Sequence, residues 1–369
     1  MRFQGQKISV SVFGQSHAAA IGMVLEGIPA GFRPDMDRLK AFLDRRAPGK
    51  NSLSTQRRET DEPEFLSGLV EGITCGAPIC AVIRNRDARS GDYQPDIPRP
   101  SHADWPALVR YGKACDLRGG GAFSGRMTAP LCIAGGIALQ MLAERGIRIG
   151  AHIASVGPVQ DERFDEVKLT DQDLQKVLTG VLPVISPEAG TRMAELIDQA
   201  RQEGDSVGGI VECAVLGLPP GWGGPLFEGL ESALGAALFA IPAVKGVEIG
   251  RGFAAAGMKG SEHNDAYILK NGRIVPETNR AGGIAGGITT GMPLIFRAAF
   301  KPTPSISKPQ KSVSVSQMRE TELVIQGRHD PCVVVRAIPV VEAVTALVLL
   351  DQMLSNPEGT GQADTESGN

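Results

Sequence analysis

Three of the chain's five histidines sit in short loops crowded with charged and small residues. They are His17 in Gly14-Gln15-Ser16-His17, His102 in Arg99-Pro100-Ser101-His102-Ala103-Asp104, and His329 in Gly327-Arg328-His329-Asp330-Pro331. A histidine within a few residues of arginine or aspartate can move a proton near neutral pH, whereas one standing alone can simply cap a turn. Arginines recur in the same kind of place. Arg45 and Arg46 close a helical pattern, Arg57 and Arg58 follow Thr55, Arg99 precedes His102, and Arg118 and Arg126 flank Gly119-Gly120-Gly121. A glycine run between guanidinium groups offers free backbone N–H groups beside charged forks, which suits a phosphate or carboxylate. Singly these arginines read as surface ion pairs; their repeated pairing with glycine and histidine points to an anionic ligand.

Sharper motifs do not hold. Gly204-Asp205-Ser206-Val207-Gly208 matches the G-x-S-x-G nucleophile elbow, but that elbow needs a strand before the serine and a helix after it. Here a helical pattern precedes it and the strand-like 210–216 follows. The chain has no P-loop and no G-x-G-x-x-G opening a helix after a strand. His102/Asp104 and His263/Asp265 are close pairs without a metal-binding spacing around them. Five Tyr and Trp residues in total and a formal charge of −3 give nucleic acid neither an aromatic platform nor a basic face.

The elements that must position these loops follow from periodicity. Lys7 to Phe13 alternates and reads as a strand ending at Gly14. Asp35 to Arg46 places Met36, Leu39, Phe42 and Leu43 on one helical face, and Pro48-Gly49 closes it. Thr128 to Gly146 is apolar nearly all round, as a helix buried in the middle of a fold is. Pro187 to Glu203 is amphipathic, and Pro225 to Ala240 and Val340 to Leu354 read as long apolar helices. Ile210 to Leu216, Met292 to Phe300 and Cys332 to Ala337 read as short strands. Strand and helix do not alternate regularly, so a mixed α+β sandwich is expected rather than a doubly wound sheet. Residues 1–354 read as one domain and 355–369 as a polar, disordered tail.

At 369 residues with 42% hydrophobic, the chain can bury a large core. Its six cysteines form no C-x-x-C pair and mostly lie in apolar stretches, as free thiols in a reducing cytoplasm do. No apolar h-region follows Arg2 and Lys7, so no signal peptide is expected. No run of 18 uninterrupted apolar residues appears, so no membrane span is expected either.

Taken in order, the loops resemble one family. Gly14-Gln15-Ser16-His17, Arg45-Arg46-Ala47-Pro48-Gly49, Thr55-Gln56-Arg57-Arg58-Glu59, Arg99-Pro100-Ser101-His102-Ala103-Asp104 and Arg118-Gly119-Gly120-Gly121 open the series. Gly204-Asp205-Ser206-Val207-Gly208-Gly209, Ala243 to Gly250, Gly282 to Gly287, Lys301-Pro302-Thr303-Pro304-Ser305 and Gly327-Arg328-His329-Asp330-Pro331 complete it. From near residue 5 to about 355 this set is similar to chorismate synthase.

The resemblance implies a β-α-β sandwich-like α+β fold, a homotetramer, and a 1,4-anti elimination of phosphate from 5-enolpyruvylshikimate 3-phosphate to give chorismate. It implies a need for reduced FMN without net redox change. NADPH enters only indirectly, through a separate flavin reductase or other reductant, since the insertions of self-reducing fungal members have no obvious room here. By position His17 matches the acid for the leaving phosphate, His102 the histidine beside the flavin's N1 and C2 oxygen, and Asp330 the carboxylate near N5. Arg46, Arg99 and Arg126 match substrate-facing arginines. Ser124, Ala243, Gly286, Lys301, Pro302, Thr303, Pro304, Ser305 and Arg328 fall on the flavin loops. Gln15, Ala18, Ser52, Ser101, Ala122, Phe123 and Pro242 depart from the family pattern, and several remove anion or flavin contacts. Two other readings stay open: a flavoprotein with a different redox reaction, and a catalytically impaired FMN- or ligand-binding relative.

Overall fold

The computed structural model describes residues 1–49, 53, 60–86, 94–178, 180, 182–325 and 329–356. Two five-stranded antiparallel sheets enclose a layer of helices. The first sheet is built from Arg2–Gln4, Ser9–Gly14, Ala20–Glu26, Ile79–Arg84 and Glu64–Ser67, in that spatial order. The second runs Val244–Ile249, Leu294–Phe300, Gly209–Leu216, Arg148–Val156 and Val159–Gln160. The helices are α1 (Met36–Arg46), α2 (Asp104–Tyr111), α3 (Thr128–Glu144), α4 (Asp171–Lys176), α5 (Pro187–Gln202), α6 (Leu230–Phe239), α7 (Gly260–His263) and α8 (Val334–Ser355). α3 lies on the first sheet, α8 lies on the second, and the two pack against each other between them. This is the expected β-α-β sandwich.

Local chemistry explains most boundaries. Asp35 caps α1, its side chain accepting from the Arg38 N–H at 2.9 Å, and Leu39, Phe42 and Leu43 face the core. α6 starts later than the sequence suggests: Leu226–Glu228 forms a separate 3-10 turn that ends at Gly229. The run Cys332 to Ala337, expected as a strand, instead enters α8, which begins at Val334 and continues through Pro339. β-branched residues favour strands only weakly, and burial between α3 and the second sheet overrides that preference. Ser355 is the last residue of α8 rather than the first of a tail. Gly125–Glu144 is apolar and long enough to cross a membrane by length and composition alone, yet 78% of its most apolar 18-residue window is buried inside the fold.

Adjacent glycines in α3 set the helix layer. A Cβ on Gly135 would lie 2.3 Å from the Ala343 Cβ and 2.4 Å from its Cα, so α3 and α8 touch almost backbone to backbone. A Cβ on Gly136 would lie 2.5 Å from a Leu39 methyl, so α1 closes on the neighbouring face. Gly135→Ala gains helix propensity of about 1 kcal/mol but overpacks a contact that cannot yield, costing about 1–3 kcal/mol. A lowered thermal midpoint is expected; an unchanged or raised one would mean the helices can separate.

On the outer face of the second sheet, His152 stands directly across from Glu212, Glu212 from Arg297, and Arg297 from Glu248. His152 is fully buried, with Nδ1 at 3.1 Å from Asp161 and Nε2 at 3.0 Å from Glu212. Burial opposes the imidazolium, but these two carboxylates outweigh it and raise the His152 pKa. Its contribution to stability is therefore complete below the unfolded value near 6.5 and is lost as pH rises through the higher folded value. The stability gap between the wild type and His152→Gln should be widest near pH 6 and shrink as pH rises. A gap that widens with pH would refute the imidazolium.

Candidate active site

One cavity of about 1370 Å³ opens beside the N-terminal ends of α3 and α8. Three loops meet in it: 99–104, the 3-10 turns 118–127 that lead into α3, and 301–305.

His102 is held from one side. Its Nδ1 lies 2.7 Å from Asp104 Oδ1, and Arg99 grips the same carboxylate through Nε at 2.7 Å and Nη2 at 2.8 Å. Arg99 also donates to Ser305 Oγ at 3.3 Å. Burial opposes charge on Asp104, yet the hydrogen bonds from Arg99 and His102 hold its carboxyl well below the usual range. A charged Asp104 can only accept, so the 2.7 Å contact places the proton on Nδ1, with the Arg99 Nη2 donor 3.1 Å from the same nitrogen. Nε2 is left for the cavity side, against Gly120. Arg99, expected to face substrate, lines the cavity and also orients His102 through Asp104.

The glycine run brings the second histidine to the same place. Gly119, Gly120 and Gly121 all take positive φ, of 59°, 86° and 52°. A Cβ on Gly119 would stand 2.5 Å from His17 Nε2 and 2.7 Å from Ser16 Oγ; one on Gly120 would stand 3.3 Å from His102 Nε2. Both the backbone conformation and the space require glycine. The Ser16 N–H donates to the Gly121 carbonyl at 3.1 Å, which pins the His17 loop to this run. Ser16 Oγ is buried, borders the cavity, and has no hydrogen-bond partner among the described residues. An orphaned buried hydroxyl at a cavity wall is a feature a ligand would satisfy.

Arg46 and Arg126 converge on one carboxylate that sequence reasoning missed. Asp61, fully buried, accepts from Arg46 Nη1 at 2.7 Å and from Arg126 Nη1. Burial works to raise its pKa, but the two guanidinium groups outweigh that and lower it. Arg46 also reaches the Gly125 carbonyl at 2.9 Å, and Arg126 reaches Asn85 at 3.1 Å. Asp330 accepts from Arg336 at 2.7 Å, another arginine the sequence did not single out. Asp61 stands in the plain acidic stretch Asp61-Glu62, and Arg336 in a valine-rich run, so neither carried a motif signal.

Lys301 ties two loops together. Its Nζ donates to the Ser101 carbonyl at 2.6 Å and its N–H to the Ala243 carbonyl at 2.9 Å. Burial, then the nearby Lys245 charge, pulls the Lys301 pKa down, the balance an arriving anion would reverse. Ser206, in the rejected elbow motif, donates to the Thr303 carbonyl at 2.7 Å, and Lys308 pairs with Asp205 at 2.8 Å. That motif clamps the 301–305 loop and offers no nucleophile.

Of the expected residues, His102, Asp330, Arg46, Arg99, Arg126, Ser124, Ala243, Lys301, Thr303, Pro304 and Ser305 line the cavity. His17 packs behind Ser16 against Gly119 and does not line it. Pro302 sits beside Gly208, off the wall. Gly286 occupies the exposed turn of the Ile284–Ala285/Ile288–Thr289 hairpin, away from the lining residues. Arg328 lies outside the described residues, as do Ser52, Arg57 and Arg58.

Comparison with known proteins gives one answer. The family model described as chorismate synthase matches residues 8–354. A chorismate synthase of Thermococcus gammatolerans is 46% identical over 354 residues, covering 95% of this chain and 97% of its own. One of Lancefieldella parvula is 45% identical over 366 residues, with 96% of each chain covered. A solved structure titled "Crystal Structure of Chorismate Synthase" superposes with a TM-score of 0.75 at 28% identity, over 96% of this chain and 93% of that one.

The glycine geometry yields a direct test. Gly119→Ala would push on the His17 ring and strain a left-handed residue, without removing any polar group. A misplacement near 1 Å costs on the order of a hundred-fold in turnover. The variant should fold and lose turnover by about that factor, measured as kcat; wild-type kcat would show that His17 need not rest there.

Proposed function

Because the chain belongs to the chorismate synthase family, and so converts 5-enolpyruvylshikimate 3-phosphate to chorismate, we propose that this cavity is where phosphate leaves. The observation that carries the reading is the convergence of His17 and His102 on adjacent residues of one glycine run. The enzyme class is a carbon–oxygen lyase acting on a phosphate, and the mode is a 1,4-anti elimination.

The residues fit two anionic guests. Arg46 and Arg126 share Asp61, so this group carries a net single positive charge toward a substrate with two carboxylates and a phosphate. Lys301, Thr303, Pro304, Ser305, Ser124 and Ala243 would hold reduced FMN, along with Arg328. When bound, reduced FMN supplies electron density to the substrate as phosphate leaves and recovers it as the ring hydrogen departs. Ser16 Oγ, which borders the cavity, would hydrogen-bond the leaving phosphate, and His17, set just behind Ser16 against Gly119, would deliver the proton from there. His102, oriented through Asp104 and Arg99, presents Nε2 to the flavin side and stabilises negative charge there. Asp330 takes the ring proton. Such a site needs groups of separated pKa within a pocket shielded from water.

The departures at Gln15, Ala122, Phe123 and Pro242 all line the cavity and leave these three groups in place. They bear on affinity, and the impaired-relative reading is not favoured. Flavin reduced by a separate reductase or reductant supplies the cofactor, so NADPH acts only indirectly. The exposed Leu226, Phe227 and Phe253 support assembly as a homotetramer.

The decisive experiment is anaerobic turnover of 5-enolpyruvylshikimate 3-phosphate with chemically reduced FMN, following phosphate and chorismate together. Equal release of both is expected. His17→Ala and His102→Ala should each lose on the order of a hundred-fold or more in rate. Wild-type rates in both would refute their roles. Ser206→Ala should keep the chemistry, losing only its bond to the Thr303 carbonyl; complete loss with the fold intact would restore the nucleophile elbow.

A further inference from the structure

Arg336 stands where elementary electrostatics does not favour it. It lies in the first turn of α8, where the unpaired N–H groups of the helix end favour anions and disfavour cations. Its side chain is only 16% exposed, and that burial pulls its pKa down from the ordinary arginine value. The flanking residues Val333, Val334, Val335, Ala337 and Ile338 are all apolar. A cation kept in such a place must be compensated by specific partners.

Two partners do so, and each belongs to a different part of the site. Arg336 Nη1 donates to Asp330 Oδ2 at 2.7 Å. Its Nε donates at 3.0 Å to the carbonyl of Arg46, the last residue of α1 and one of the carbonyls a helix end leaves unpaired. The Asp330 backbone is pinned independently: Thr303 Oγ1 donates to its carbonyl at 2.9 Å, and the Val207 N–H donates to the Pro331 carbonyl at 2.8 Å. The carboxylate itself is gripped by Arg336, which is placed to set its direction. Among the described residues, the other charged or titratable neighbours are Arg46, Asp61, His329 and Cys332.

We propose that Arg336 is the positioning residue for Asp330: one guanidinium fixes the carboxylate and sets its distance from the α1 end that carries Arg46. The proposal rests on the reading of Asp330 as the group that takes the ring proton. Arg336 itself need touch neither substrate nor flavin. Its bidentate reach is what matters, because a lysine keeps the charge but offers one ammonium in place of a planar fork spanning two acceptors.

The test is a cycle on the full-length protein with 5-enolpyruvylshikimate 3-phosphate and reduced FMN under anaerobic conditions. It compares wild type, Arg336→Lys, Arg336→Met, Asp330→Asn, and Asp330→Asn combined with Arg336→Lys. Thermal midpoints and FMN affinity by flavin fluorescence accompany kcat and KM. Asp330→Asn should lose about a hundred-fold or more in kcat, as loss of a general base does. Arg336→Lys should lose about ten-fold in kcat, with KM and FMN affinity within about three-fold of wild type, and Arg336→Met should lose more. In the Asp330→Asn background, Arg336→Lys should change kcat by less than about two-fold, because the group it positions has lost its function. Should the methionine variant fail to fold, the lysine variant and the cycle carry the test.

Equal losses from Arg336→Lys in both backgrounds would overturn the proposal while leaving Asp330 in its role. A loss confined to KM or FMN affinity would overturn it too, making Arg336 a binding group. Wild-type kcat in Asp330→Asn would overturn the reading of Asp330 and the proposal with it.

Discussion

Everything in this molecule is registered against α8, a 22-residue helix buried along most of its length between α3 and the second sheet. A helix apolar all round has no preferred rotation from hydrophobicity alone, so something else must set its register. Three charges do. Near its start Arg336 holds Asp330 and the end of α1. In its middle Glu342 takes Arg45 through two hydrogen bonds of 2.7 and 2.8 Å and the Ala151 N–H at 3.1 Å. Near its end Asp351 accepts the N–H groups of Gln6, Lys7 and Ile8 at 2.7 to 3.0 Å. Each is poorly exposed, and a misplaced register would leave each without compensation at a cost of several kcal/mol. One rotation and one translation of α8 satisfy all three. The same setting brings Asp330, the α1 end and the glycine run to a common cavity.

That cavity solves an electrostatic problem with internal counterions. The chain is nearly neutral at −3, yet its ligand is strongly anionic. Arg46 and Arg126 share Asp61, Arg99 pairs with Asp104, and Arg336 pairs with Asp330. Each guanidinium is therefore held in a fixed direction by a carboxylate before any ligand arrives, and the sharing of Asp61 by two arginines leaves one positive charge in excess. A preorganised cationic wall of this kind need not reorganise when charge develops on a leaving phosphate.

The motif loops were legible because glycine, histidine and arginine in tight sequence have few structural reasons to coincide. Helix positions were legible too: α1 and α5 follow their apolar periodicity, and Asp35 and Ser186 supply the caps. What escaped was carried by single residues in uninformative settings. Arg336 and Glu342 lie in a helix whose apolar composition hides both its start and its rotation. Asp61 becomes a site residue only when α1 and the turn before α3 bring two arginines onto it from 15 and 65 positions away. Arg99 matched a substrate-facing arginine by position; it lines the cavity, and sequence could not show that the fold also sets it on Asp104. Gly286, which the resemblance puts on a flavin loop, stands on an exposed hairpin turn outside the lining residues, a placement its turn signature could not show.

Two residues at the cavity show why strain is tolerated there. Ser101 and Ala243 take positive φ, of 57° and 74°, without being glycine, a conformation that costs on the order of 1–3 kcal/mol each. They are also the two whose carbonyls Lys301 holds, one through its ammonium and one through its backbone N–H. The left-handed turns aim both carbonyls at one lysine, and the charge-assisted bond of 2.6 Å offsets part of the cost. The strain is thus the consequence of fixing a cation between two loops.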